Sequence, residues 1–160
     1  MKRAVWLVLF LLIVFASSFS EPLTGFLGIP FGSGKAEVIK AMKAKTTIKP
    51  AFADALIVYE NIKFEGRDAE EIAFTFHGDS LYSAMVVIIP QQDIKLAVYY
   101  QIKSDYIIKY GKPLLDEYYS VGWFLNEDKI ILIQLLYNDK RDRYQIIILY
   151  ACKDLIKELQ

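Results

Sequence analysis

Ile130-Ile131-Leu132-Ile133-Gln134-Leu135-Leu136-Tyr137 and Tyr144-Gln145-Ile146-Ile147-Ile148-Leu149-Tyr150-Ala151 are two isoleucine-rich runs, separated by the charged segment 138–143. In both, odd and even positions are apolar alike. A strand with one face in water alternates, whereas a strand covered on both faces does not. The two runs therefore read as adjacent central strands of a sheet, joined by a polar turn. A third strand, Val121 to Leu125, precedes them across the turn Asn126-Glu127-Asp128-Lys129.

Upstream, the period changes from two to about 3.6. Tyr99, Ile102, Tyr106 and Tyr110 share one helical face, while Lys95, Gln101, Ser104 and Asp105 are polar. This predicts a helix over 92–110, stopped by Gly111 and Pro113. The first half has a similar order. Ser33 is the expected N-cap of a helix with Glu37 in its first turn and Ala36, Ile39 and Met42 on its apolar side. Lys45-Thr46-Thr47 ends that helix, and Pro50 forbids its continuation. Three strands are expected next, over 55–64, 72–77 and 81–89. Gly78-Asp79 forms a tight hairpin turn between the last two, and Pro90 closes the block. A short helix over 153–159 is expected to end the chain.

The order is thus helix, three strands, helix, three strands, helix. It predicts an α+β fold of tandem helix-plus-three-antiparallel-strand units packed as one domain, with repeat halves 21–90 and 91–160.

The N-terminus reads as an export signal. Lys2-Arg3 precedes an apolar run from Ala4 to Ala16, and Ser17, Ser18 and Ser20 supply a small-residue exit. The run is about 13 residues, shorter than the roughly 20 of a spanning helix. Cleavage is expected after Ser20, with Ser18 as a second frame and a retained anchor as the alternative. The chain carries 19 basic and 19 acidic residues. Loss of Lys2 and Arg3 leaves a mature domain of about 140 residues with a slight acidic excess. That balance offers nucleic acid no basic footprint. Cys152 is the only cysteine, so there is no acyl anchor near the exit and no intramolecular disulfide. Burial is its expected role, with intermolecular pairing the alternative. Asn61, Asn126 and Asn138 lack the Ser or Thr of a glycosylation site. The expected location is periplasmic or secreted, in a bacterium, with no stable membrane span after cleavage.

Gly28-Ile29-Pro30-Phe31-Gly32-Ser33, followed by Glu37-Val38 and Met42 on a helix, resembles the opening of small exported bacterial proteins of uncharacterised families. The doubled layout of helix and antiparallel strands is similar to the beta-lactamase-inhibitor-protein-like fold and to the BamE (SmpA)-like outer-membrane assembly domain. The resemblance implies binding to other proteins rather than chemistry. It transfers no binding residue. The inhibitor family's disulfides and the lipid-bearing cysteine of BamE-type proteins are absent here.

Motifs for chemistry are weak. Gly32-Ser33-Gly34-Lys35 invites a phosphate-loop reading, but position 29 is Ile, position 36 is Ala, and no strand is expected before it. His77 is the single histidine, so a conventional zinc site lacks ligands. Asp79 and Ser80 stand too close along one hairpin to form a catalytic fork with it. Glu65, Asp68, Glu70, Glu71 and Asp79 read as solvated turn acids without a calcium-loop pattern. No catalytic residue, metal or cofactor is expected.

The aromatic surplus is harder to place. Tyr99, Tyr106 and Tyr110 fill a helix face, which leaves Tyr100, Tyr118, Tyr119 and Trp123 as candidate partner-binding residues, since Tyr and Trp suit interfaces. The expected function is a non-enzymatic exported module that binds an envelope or extracellular protein or peptide. A carrier of a small apolar ligand or lipid is the alternative. A hydrolase using Glu70 or Glu71 with His77 is a more distant one.

Overall fold

A computed structural model describes residues 23–125 and 128–153. The export-signal segment and the expected terminal helix after Lys153 lie outside the described residues.

The chain begins with a small hairpin, β1 (Gly25–Phe26) and β2 (Ile29–Pro30), followed by helix α1 (Lys35–Lys43). Four consecutive strands come next: β3 (Ala51–Ala53), β4 (Leu56–Phe64), β5 (Arg67–His77) and β6 (Ser80–Ile88). Helix α2 (Lys95–Tyr110) leads into four more: β7 (Leu115–Glu117), β8 (Ser120–Leu125), β9 (Lys129–Asn138) and β10 (Arg143–Cys152).

All eight later strands form one antiparallel sheet in the order β3-β4-β5-β6-β10-β9-β8-β7. The fold is therefore mostly β, and the expectation of an α+β protein built from tandem helix-plus-three-strand units is corrected. Two causes explain the difference. The outermost strands, Ala51–Ala53 and Leu115–Glu117, are three residues each, too short to show a period. In addition, β6 pairs with β10 from Ser83↔Ala151 to Ile88↔Ile146, which fuses the two sets of strands into a single sheet.

Both helices lie on one face of that sheet. A continuous core joins Val38 and Met42 of α1 and Tyr99, Ile102, Tyr106 and Tyr110 of α2 to Ile57, Tyr59, Ile72, Phe74, Val86, Ile131, Ile133, Ile148 and Tyr150. The small hairpin adds Phe26, whose ring lies 4.8 Å from that of Tyr150 and 5.6 Å from that of Phe64. The helix-side face of the sheet is thus filled by α1, α2 and the β1–β2 hairpin.

Local chemistry explains the connections. Gly78 has φ +58° and opens the two-residue turn between His77 and Ser80, a conformation that glycine adopts at little cost. Helix α1 starts one residue later than Ser33 predicted. Gly34 is its N-cap, Glu37 accepts the Gly34 N–H at 3.0 Å, and Asp79 Oδ1 accepts the Lys35 N–H at 2.9 Å. The hairpin turn therefore supplies the cap that Ser33 does not. Helix α2 ends at Gly111 (φ +79°), whose carbonyl accepts the Trp123 indole N–H at 2.8 Å.

Candidate functional site

The sheet has two faces of different fate. On the helix side, the in-register row Ile57–Phe74–Ala84–Tyr150–Ile131–Trp123 crosses six strands and is buried throughout. One residue along, every side chain points the other way. There the row Ala51–Val58–Ala73–Met85–Leu149–Leu132–Gly122–Leu115 crosses all eight strands in register. Every member is apolar or glycine. Ala73 and Gly122 are buried, whereas Met85, Leu149 and Leu132 remain half-buried in the middle of the sheet.

Two flanking rows complete this second face. Below the middle row lie Leu56, Thr75, Ser83, Ala151, Ile130 and Phe124, the last 52% exposed. Above it lie Glu60, Glu71, Val87, Ile147, Gln134, Ser120 and Glu117. Strand and residue spacings give the three rows a span of about 34 Å by about 14 Å. That is roughly 480 Å², smaller than the roughly 800 Å² that one partner contributes to a standard protein interface. Among the described residues, no helix or strand packs over it.

The four candidate aromatic residues separate into two groups. Tyr118 is 70% exposed and its ring meets that of Tyr119 edge-on at 4.5 Å, at the turn between β7 and β8. Tyr100 is exposed on α2 and lies against Tyr99 at 5.4 Å. Partial desolvation, then the neighbouring Tyr118 and after it Tyr144 and Tyr100, hold the Tyr119 phenol above its usual pKa. Trp123 is elsewhere: it is 1% exposed and packs against Tyr106 and Tyr110.

The chemistry weighed from the sequence is not assembled. His77 is exposed at its hairpin, and six residues of β5 put it about 20 Å from Glu71. Glu70 is engaged by Arg141 at 2.9 Å and by Arg143. Asp68 pairs with Lys63 and Glu65 with Lys109. Asp79 caps α1. Gly32 and Ser33 pair with Leu81 through their backbones, which ties the glycine-rich segment to the start of β6. Cys152 is buried, and the Lys129 ammonium lies 3.3 Å from its sulfur. Among the described residues no group of three or more His, Cys, Asp or Glu side chains could hold a metal ion, and no helix is long and apolar enough to cross a membrane.

The residues that sequence reasoning missed are Met85, Leu132, Ile147 and Leu149. Their signal was present, because β9 and β10 are apolar on both faces. That pattern does not say which face the chain itself covers; among the described residues, α1, α2 and the β1–β2 hairpin all pack on the other one. No known protein family, curated protein or solved structure matches the chain.

Proposed function

We propose that this protein is an exported binding module whose second sheet face, over which no described helix or strand packs, docks on another protein. The observation that supports this reading is the apolar row from Ala51 to Leu115. A contiguous apolar patch of roughly 300–600 Å² is often the functional surface of a monomeric protein. The Tyr118–Tyr119 turn adjoins the Glu117–Ser120 end of the face and extends it with two exposed rings. Tyr100 stands nearby on the helix side. The carrier reading has less support, since the space between sheet and helices is occupied by the aromatic core.

Photo-cross-linking tests the proposal. A benzoylphenylalanine placed at Leu149 or Met85, in cells that export the protein, should capture a discrete protein adduct. The same group at Ile108, exposed on the outer side of α2, should not. Equal capture at Ile108, or adducts that contain only lipid, would overturn the reading.

A further inference from the structure

We infer that the partner presents an apolar segment carrying a lysine or arginine, which the paired carboxylates of Glu60 and Glu71 receive. This rests on the docking role of the open sheet face and adds the chemistry of its occupant.

The charge pattern carries the inference. Across the three rows of the open face, the charged residues are Glu60, Glu71 and Glu117, and all are acidic. Two neighbouring cations are already engaged, Arg143 by Glu70 and Lys63 by Asp68. Glu60 and Glu71 are direct cross-strand partners, and among the described residues no hydrogen bond or ion pair engages either one. Like charges directly opposite on neighbouring strands destabilise a sheet. The free fold gains nothing from this pair, and a cation placed between the two carboxylates would remove the repulsion.

Position selects the kind of cation. Glu71 is half-buried and next in register to the buried Val87, which continues to the half-buried Ile147. A ligand that reaches the carboxylates from the middle of the face must cross these apolar side chains. A long side chain with an apolar stem and a charged tip meets both surfaces. A second copy of this chain is a poor occupant, because the three rows of its own face carry no lysine or arginine to meet the pair. An anionic lipid surface is disfavoured because the acidic row would repel it.

Selection of binders from a displayed library of random twelve-residue peptides tests this. The wild-type domain should enrich apolar residues together with Lys or Arg. The Glu60→Gln/Glu71→Gln variant should keep the apolar enrichment, lose the cation, and bind wild-type-selected peptides about tenfold more weakly, as expected for loss of a charged contact. The same variant should melt at least as high as the wild type, with a rise of about 2 °C. A residue kept for stability would shift melting the opposite way. Met85→Ser/Leu149→Ser should abolish selection of this class. Peptides that need Met85 and Leu149 but show no cation preference would overturn the inference and leave the docking face standing. Binding indifferent to Met85 and Leu149, no binders at all, or concentration-dependent self-association through this face would overturn both.

Discussion

Tyr106 and Tyr150 share a hydrogen bond inside the core, one from α2 and one from β10. Burial, the largest cause for each, drives both phenols well above their usual pKa. Tyr99 is pushed up to about 12, mainly by burial and then by Asp116. The sign of the resulting pH dependence follows from proton counting. An unfolded phenol releases its proton near pH 10, while the folded core holds it. The unfolded chain then binds fewer protons, and stability falls as pH rises past 10. Each such phenol contributes a loss of about 1.4 kcal/mol per pH unit in that range. Urea unfolding from pH 8 to 11 should show this decline. The Tyr106→Phe/Tyr150→Phe variant removes donor and acceptor together, so it should lie within about 2 kcal/mol of wild type at pH 8. Its alkaline decline should be shallower by about 2–3 kcal/mol at pH 11. Equal slopes would mean that the two hydroxyls reach solvent.

At the scale of elements, the cap of α1 shows how a local rule is satisfied by a distant residue. Ser33 fits the N-cap preference by composition, but its backbone is held by Leu81 of β6. Asp79, 44 residues from Lys35, supplies the acceptor instead. Asp79→Ala should therefore destabilise the protein by about 1 kcal/mol, the usual worth of a cap. Ser33→Ala should cost a few tenths at most. Thermal melting of the two variants decides between them, and a larger loss for Ser33→Ala would refute the assignment. The same contrast marks what the sequence could disclose. The buried face of α2 is legible from Tyr99, Ile102, Tyr106 and Tyr110 because four residues repeat one period. The Gly78-Asp79 turn is legible from glycine chemistry. Ala51–Ala53 and Leu115–Glu117 are not, because a three-residue edge strand is defined by the partner it pairs with. The α+β expectation failed at those edges and at the β6–β10 seam, which only tertiary pairing creates.

For the whole molecule, the open question is which face of β9 and β10 is covered. Both faces are apolar in sequence, and a run without alternation implies cover on both. Tyr118 and Tyr119 were legible as surface aromatics because they follow a filled helix face. Met85, Leu132 and Leu149 were not, because an apolar residue in a central strand looks the same whether its cover comes from this chain or from another. Energetics separates the two cases. Ile148 and Leu149 are neighbours on β10, but Ile148 is 1% exposed against α2-side residues while Leu149 is half-buried on the open face. Ile148→Ala should cost about 2–5 kcal/mol, since it leaves a cavity between packed layers. Leu149→Ala removes side-chain area that water already touches and leaves no enclosed void, so its cost should be about 1 kcal/mol or less. Chemical denaturation of the purified protein measures both. Comparable losses would mean that a second layer already covers the face, and the docking surface would be withdrawn. A large difference would place the missing half of this core on the partner, and adding that partner should then make Leu149→Ala costly to binding rather than to folding.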